Sequence, residues 1–388
     1  MLAPARAAPA DAASANSGEQ PIRVAFDAHS VGRRQTGNER YVVELATALA
    51  TRTDIELLAY VDRGTAWPAD VLPAPRLVEL RARAPQLRIP FELPWRARAD
   101  RAELLQVSYV APPIAGLPVV TTVHDLSFED HPELFALPTR LRLQWLVRWS
   151  VQHSAAVTAV SRFTVKRLVE VYGLSPARVH LVPDGVGAQW RPVSAAEAAT
   201  ALARLDLPRR FVLAVGTSNT RKNLPRLIAA LSSLRAGGRD DVALVLAGPR
   251  GQGHDEVLQA IARYHGQGWV HHLGYVDDVV LRALYGTAAV VAYVSRYEGF
   301  GLPVLEALAS GAMVVASNST AVGEVAGDAC VLVEPTDTDA IAASLRAALE
   351  DDGLRHTLRG RTAAHLAQFT WPRAAAAMAE VYRGVVRP

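Results

Sequence analysis

The stretch AVVAYVSRYEGFGLPVLEALASGAMVVA, residues 289–316, decides the fold of this 388-residue chain. It begins with a short apolar run, Ala289–Val294, and passes through a glycine-containing loop into a predicted helix, Pro303–Ala309. It ends in a second apolar run, Met313–Ala316. Apolar runs that do not alternate with polar residues are typical of parallel strands covered on both faces. The stretch therefore predicts a strand, a helix and a second strand parallel to the first.

The same alternation extends on both sides of this stretch and forms two series. Further strands are predicted at Ile22–Phe26, Ile55–Val61, Val119–Val123, Ala155–Val160 and Val179–Val182, and then at Phe211–Val215, Val242–Ala247, Val270–Leu273 and Cys330–Val333. Helices are predicted between them at Tyr41–Ala50, Leu141–His153, Phe163–Tyr172, Leu224–Leu234, His254–Tyr264, Val279–Tyr285 and Asp339–Leu349. Two such series predict two open, doubly wound α/β domains, which we place at residues 20–190 and 207–370. Ligands of such sheets bind at the carboxyl ends of the strands, so two facing sheets share one cleft.

Composition excludes several classes of protein. Hydrophobic residues make up 50% of the chain and charged residues 20%, which excludes a wholly disordered protein. The single cysteine, Cys330, excludes an internal disulfide framework and favours a reducing, cytoplasmic compartment. The net charge of +3 does not indicate nucleic-acid binding, and no apolar run approaches the ~18 residues of a transmembrane helix. Residues 1–19, rich in Ala, Ser and Pro, are predicted to be a disordered lead rather than a signal peptide.

The loop EGFGLP has the features of a phosphate site. Gly299 and Gly301 allow a tight turn and close approach of a ligand, and Pro303 suits the first turn of the following helix. Free amides at a helix start, together with the helix dipole, bind phosphate. Glu298 and Glu306 would oppose an anion there, so we expect both to accept hydrogen bonds from hydroxyls. The alternative is a glycine-rich turn with a capping glutamate.

Two adjacent cations, Arg221 and Lys222, follow the predicted strand Phe211–Val215 in the loop GTSNTRKN. Lys222 is one of only two lysines in a chain whose other basic residues are arginine, the second being Lys166. Two positive charges at the carboxyl end of a strand would stabilise the negative charge of a leaving diphosphate. The alternative is a basic loop on a solvated surface.

Two further loops follow strands of the first series. His124 and Asp125 come directly after Val119–Val123, where His124 could act in acid–base chemistry or position a sugar hydroxyl. Asp125 is expected to be a structural cap. Gly37 lies between the first strand and its helix and would let a phosphate approach the helix start, although a flexible turn is the alternative. The three-glycine dinucleotide fingerprint is absent there, which disfavours NAD binding.

Glu298–Glu306 resembles the E-x7-E motif of the retaining family-four glycosyltransferases. That family has the GT-B fold, in which two Rossmann-like domains face each other across a cleft. By this resemblance, Glu298 lies beside the transferred sugar and Glu306 hydrogen-bonds the ribose. The loop residues Gly299, Phe300, Gly301 and Leu302 then surround the diphosphate, mainly through the amides around Gly301 and Leu302.

The resemblance extends from about Ile22 to about Arg373. The loop GTSNTRKN is similar to the family pattern G-R-x4-R-K, but Thr217 replaces the first arginine, so the phosphate contacts fall to Arg221 and Lys222. In the other matching loops the resemblance implies that His124 reaches the donor sugar, that Gly37 contacts the diphosphate or the acceptor, and that Val276 lies where the base is read through backbone groups. Asp184 replaces a commoner asparagine in Pro183–Val186, and the helix at 371–388 is expected to cross back to the first domain, as the last helix of the family does.

The resemblance implies a retaining, metal-independent transfer of a hexose of the mannose or glucose type. The donor is a nucleotide diphosphate sugar, for example GDP-mannose, and the acceptor is a glycan or a lipid-linked saccharide of cell-surface polysaccharide or lipopolysaccharide. No cofactor is expected, and Asp337 and Asp339, although spaced like a metal motif, favour helix capping. Two alternatives remain. A nucleotide-sugar epimerase on the same fold would need acid–base groups beyond His124, and the other alternative is a catalytically silent binding module.

Two basic, aromatic segments allow two interpretations. Arg81–Arg101 mixes arginines with Leu87, Phe91 and Trp95, and Leu141–Trp149 has a similar composition. One interpretation is a surface that contacts anionic lipid at the inner face of the membrane. The other is an ordinary insertion whose aromatic residues fill a local core while its arginines face water.

Overall fold

The computed structural model describes residues 20–33, 36–69, 71, 73–82 and 84–387, and the predicted lead at 1–19 lies outside them. The fold consists of two parallel sheets, each with helices on both faces. The sheets have seven and six strands. Two doubly wound α/β units are therefore present, as the alternation of strands and helices predicts.

The first sheet has the strand order β3-β2-β1-β4-β5-β6-β7. Its strands are β1 (Ile22–Asp27), β2 (Ile55–Asp62), β3 (Arg76–Leu80), β4 (Leu104–Ser108), β5 (Val119–Val123), β6 (Ala156–Ala159) and β7 (Val179–Leu181). Its helices are α1 (Thr36–Ala50), α2 (Pro85–Leu87), α3 (Leu93–Ala99), α4 (Ser127–Asp130), α5 (Leu137–His153) and α6 (Arg162–Tyr172). The strand order reverses between β1 and β4, which opens a crevice at the carboxyl ends of these two strands.

The second sheet has the order β10-β9-β8-β11-β12-β13 and reverses between β8 and β11. Its strands are β8 (Phe211–Val215), β9 (Ala243–Ala247), β10 (Val270–Gly274), β11 (Val290–Tyr293), β12 (Val314–Ser317) and β13 (Val331–Val333). The remaining helices are α7 (Ala195–Leu202), α8 (Leu224–Ala236), α9 (His254–Arg263), α10 (Asp278–Thr287), α11 (Leu302–Ala309), α12 (Thr320–Ala326), α13 (Thr338–Glu350), α14 (Asp352–Leu366) and α15 (Trp371–Val386). The loops after β8 and β11 are the two that carry the predicted cations and the EGFGLP sequence.

Helix α15 packs against the first sheet rather than the second. Its buried residues Trp371, Met378 and Tyr382 belong to the same apolar cluster as residues of β1 and α1. Phe300, from the loop after β11, and Leu302, the first residue of α11, lie in this cluster too. The core of the first half is therefore continuous with the wall of the cleft between the sheets.

The segment between β3 and β4 forms α2, a π-helical turn at Arg88–Glu92, and α3. Arg88 is 1% exposed and lies 3.8 Å from Asp62, whereas Phe91 is 66% and Trp95 59% exposed. The expectation that the aromatic residues fill a local core is therefore wrong for this segment, whereas Arg81, Arg98 and Arg101 are exposed to water and Arg88 is not. None of the helices in the described part of the chain combines the length and the apolar composition that crossing a bilayer requires.

Candidate active site

A cleft of about 560 Å³ lies between the carboxyl edges of the two sheets. The loops after β5, β8 and β11 contribute to its walls, as expected for two facing switch points. The first half also contributes the start of α1, and Gly37 lies in the first turn of this helix rather than in the loop before it. Every residue that the sequence assigned to the site lines this cleft: Gly37, His124, Arg221, Lys222, Val276, Glu298, Gly299, Phe300, Gly301, Leu302 and Glu306. The structure thus brings together residues that lie up to 269 positions apart, from Gly37 to Glu306.

The loop after β11 turns into α11 at Gly301, whose φ of 130° is a conformation that glycine adopts easily. Pro303 lies in the first turn of α11, as predicted. The turn directs the amino end of α11 toward the cleft. Free amides at this position can bind phosphate oxygens.

Glu298 binds both predicted cations. Its carboxylate accepts a hydrogen bond from Arg221, and the Lys222 ammonium lies 2.7 Å from it. Burial alone would raise the pKa of Glu298, but Arg221 and Lys222 outweigh this effect and hold the pKa at about 2. Lys222 also donates a hydrogen bond to the Tyr293 hydroxyl at 2.8 Å. The three charges form a compact ionised group at the base of the cleft.

Glu306 makes a second ion pair, with a residue that sequence reasoning missed. Arg40 on α1 reaches across the cleft to Glu306 and also binds Asp278 at 2.6 Å. The Arg40 guanidinium packs on the Trp190 ring, 4.8 Å from its centroid. Tyr285 donates a hydrogen bond to the other oxygen of Glu306 at 3.2 Å. Arg40 follows Gly37 by three positions, but no local pattern indicates a partner in the other half of the chain.

His124 is 8% exposed and packs edge-on against Tyr41, with ring centroids 4.5 Å apart. Its Nε2 lies 3.4 Å from the Ser108 hydroxyl. Burial lowers the pKa of His124 to about 4, so the imidazole is neutral at physiological pH. Asp125 accepts hydrogen bonds from the backbone and hydroxyl of Ser127, which is a structural role.

The two halves touch directly beside the site. A side chain at Gly299 would place its Cβ 1.8 Å from the carbonyl oxygen of His124. The Ser161 hydroxyl donates to the Gly299 carbonyl at 2.8 Å, and Tyr297 donates to Asp130 at 2.8 Å. These contacts hold the EGFGLP loop against the first half of the chain.

Models of two protein families match the chain, one in each half. Residues 36–190 match the model described as "Glycosyltransferase Family 4", and residues 202–364 match "Glycosyl transferases group 1". The chain is 34% identical over 253 residues to O-antigen chain mannosyltransferase B of Escherichia coli; the match covers 65% of this chain and 66% of that protein.

Solved structures show the same fold. Sucrose-phosphate synthase from Thermosynechococcus elongatus matches with a TM-score of 0.74 and 23% identity, over 94% of this chain and 99% of that one. Anabaena Alr3699/HepE in complex with UDP and glucose matches with a TM-score of 0.72 and 20% identity, over 94% and 100%. At these identities the likeness establishes the GT-B fold alone. Because family models match both halves, the chain belongs to the glycosyltransferases that join a family 4 domain to a group 1 domain.

Proposed function

We propose that this chain is a retaining, metal-independent glycosyltransferase that moves a hexose of the mannose or glucose type from a nucleotide diphosphate sugar to a glycan or lipid-linked saccharide in cell-surface polysaccharide synthesis. The observation that carries the proposal is the convergence of Arg221, Lys222 and the amino end of α11 on one cleft. Similarity to an O-antigen mannosyltransferase supports the substrate class. The UDP and glucose bound to a protein of the same fold support the donor class.

The proposed chemistry follows from charge. A diphosphate entering the cleft competes with Glu298 for Arg221 and Lys222, and these cations then stabilise the negative charge that grows on the leaving group. Two cations and the amides at α11 supply the positive charge that a metal ion would otherwise provide. His124, neutral and buried, serves as a hydrogen-bond partner of the donor sugar rather than as a charged acid.

The experiment incubates the purified chain with UDP-, GDP-, ADP- and dTDP-sugars and a panel of saccharide acceptors. We expect release of one nucleoside diphosphate only when an acceptor is present, unchanged by a metal chelator. Proton NMR of the product is expected to show the donor's anomeric configuration. Inverted product, loss of activity with the chelator, or an epimerised donor formed without acceptor would each contradict part of the proposal. A protein that neither turns over nor binds any of these nucleotides would contradict all of it.

We also propose that the segment Arg81–Arg101 contacts an anionic membrane surface. Leu87, Phe91 and Trp95, which are 57%, 66% and 59% exposed, surround an apolar groove together with Ile114, 76% exposed. Arg81 and Arg98 lie at the same groove, so apolar and positive groups face outward together. On α5, Trp145 is 66% exposed and adds a second apolar contact from Leu141–Trp149.

Vesicle sedimentation tests this contact. We expect binding to vesicles that contain phosphatidylglycerol, weaker binding to neutral vesicles, and loss of binding in the double variant Phe91→Ser, Trp95→Ser. The control double variant, Leu258→Ser with Leu332→Ser, removes hydrophobic side chains that are 50% and 41% exposed in the second half. Equal loss of binding in both variants would contradict the assignment.

A further inference from the structure

Asp184 is an acid buried in the wall of the cleft. It lies in the connection after β7, is 4% exposed, and lines the same cavity as His124 and Gly299. Its Oδ1 is buried and has no hydrogen-bond partner among the described residues. Buried polar groups are nearly always paired, so an unpaired one in a residue that lines a cavity requires a partner, either water or a ligand.

Among the residues that the structure describes, no positively charged side chain pairs with this acid. Tyr41 on α1 interacts electrostatically with Asp184, His124 lines the same cavity, and Tyr382 on α15 interacts with Tyr41. Burial raises the pKa of both tyrosines and lowers that of His124, so all three groups are uncharged at neutral pH. An isolated carboxylate in such surroundings is strongly disfavoured.

Burial without a charged partner therefore favours the protonated form of the Asp184 carboxyl group. Burial raises the pKa of Asp184 well above its usual range, and no other group contributes to the shift. A protonated carboxyl has an O–H to donate, whereas a carboxylate can only accept. This difference decides which ligand atoms Asp184 can face.

Asp184 lines the same cleft as the loop residues Gly299–Leu302. Val182 and Val186, on either side of it, pack in the same apolar cluster as Phe300 and Leu302. The loop that holds Phe300 and Leu302 carries the amides assigned to the diphosphate. The Asp184 side chain thus borders the cleft in which we propose that a diphosphate binds. A carboxylate there would repel the anion, while a neutral acid would donate to it.

We propose that Asp184, as a neutral carboxylic acid, donates a hydrogen bond to a diphosphate oxygen of the nucleotide sugar. This inference rests on the proposed function and adds a binding residue to it. The proton stays on Asp184, so no transfer step is involved. A group of this kind makes nucleotide binding depend on pH in a direction opposite to that expected of a carboxylate base.

Calorimetric titration with the nucleoside diphosphate that binds, from pH 6 to pH 9, tests the inference with wild type, Asp184→Asn and Asp184→Ala. Asparagine keeps a donor of similar shape and does not ionise. We expect Asp184→Asn to bind within about threefold of wild type at pH 6 and to show a flatter pH dependence than wild type, whose affinity falls toward alkaline pH. Asp184→Ala is expected to raise Kd about tenfold or more, as for loss of a hydrogen bond to a charged group. Carbon-13 NMR of the labelled aspartates in wild type reads the protonation of Asp184 directly.

Several outcomes would overturn the inference. One is an ionised Asp184 at pH 7, and another is a wild-type pH profile that superimposes on that of Asp184→Asn. A folded Asp184→Ala variant with unchanged Kd at all pH values would show that water, not substrate, pairs with the acid. Absence of binding by every nucleoside diphosphate to wild type would overturn the proposed function itself, and this inference with it.

Discussion

Lys222 gives the sharpest test of the cation pair at the scale of single residues, because the only other lysine is a matched control. Its ammonium is buried between Glu298 and Tyr293, while the Lys166 side chain is 73% exposed on α6. We expect Lys222→Met to raise the Kd of the nucleoside diphosphate at least tenfold, since charge-assisted hydrogen bonds to phosphate contribute about 1.5–3 kcal/mol each. Lys166→Met is expected to change nothing. Calorimetric titration measures the Kd of both variants. Equal effects of the two substitutions would show that Lys222 is not part of the phosphate site.

His124 makes a prediction about stability and pH. Its pKa is about 4 in the folded chain and 6.5 unfolded, so below pH 6.5 the unfolded chain binds the extra proton first. The stabilisation from the neutral, buried His124 is thus complete above pH 6.5 and is lost as the pH falls toward 4. Converted at 1.36 kcal/mol per pKa unit, the loss is on the order of 3 kcal/mol.

Urea unfolding at pH 7.5, 5.5 and 4.5 measures this loss against His124→Asn, which cannot titrate. The free energy of unfolding is expected to fall more steeply with acid in wild type than in the variant. Parallel curves, or a steeper fall in the variant, would mean that His124 is protonated in the folded chain.

Part of the candidate site could be predicted from the local spacing of residues in the sequence. The rest depends on how the chain folds and which distant residues it brings together. Glu298, Arg221 and Lys222 lie in loops that follow apolar runs, and Glu306 lies in the helix that follows one of these loops; a sequence displays such a pattern directly. Arg40 could not be assigned in the same way, because its partner is 266 residues away in the other half. Ion pairs between distant residues depend on how the two sheets face each other. The spacing of residues within one helix does not indicate this arrangement.

At the scale of elements, the strands that were missed have a physical explanation. β3 reads RLVEL, and three of its five residues are exposed or half-buried, so it lacks the apolar run of a covered strand. β4 contains the polar Gln106, which is buried and donates a hydrogen bond to Thr122 at 2.6 Å. Among the strands that were predicted, β8 and β9 have uninterrupted apolar runs, and β5 has two buried threonines between its valines. In β4, a buried polar residue that forms its hydrogen bond within the sheet interrupts the apolar run by which a strand is predicted.

The contact between the loop before α11 and the loop after β5 predicts the effect of adding one methyl group. In Gly299→Ala the new Cβ would lie 1.8 Å from the His124 carbonyl oxygen and 2.7 Å from the Asp125 Cβ. Because backbone on one side must move, we expect the EGFGLP loop to shift and turnover to fall by at least a hundredfold. Gly360→Ala on α14 is the control, since its Cβ meets nothing within 4 Å and alanine favours the helix by about 1 kcal/mol. Turnover and thermal unfolding measure both variants, and a fully active Gly299→Ala would mean that the two loops separate during catalysis.

At the scale of the whole molecule, the halves are joined on more than one side of the cleft. Glu324 on α12 accepts hydrogen bonds from the Arg162 and Phe163 amides at the start of α6, so one half caps a helix of the other. Arg40 makes the corresponding link on the side of Glu306 and Asp278. Burial raises the pKa of Glu306 in spite of Arg40. The carboxylate form of Glu306 is therefore disfavoured at this buried position, even though it is paired with Arg40. The Arg40 contact therefore both joins the halves and occupies the carboxylate assigned to the ribose.

Arg40→Gln separates these two roles. If ribose hydroxyls must displace Arg40 from Glu306, the variant is expected to bind the nucleoside diphosphate about fivefold more tightly. This corresponds to a gain of about 1 kcal/mol in binding free energy, because no ion pair has to be broken. It is also expected to have a lower thermal unfolding temperature and a larger radius of gyration in solution scattering, because one link between the halves is gone.

The control is Arg239→Gln, which removes an arginine that also bridges two carboxylates, Asp241 and Glu350, within one half. That variant should lose stability with no change in Kd or radius of gyration. A weaker Kd in Arg40→Gln would instead make Arg40 a ligand of the nucleotide, and the ion pair with Glu306 would then be the form it takes only in the empty cleft.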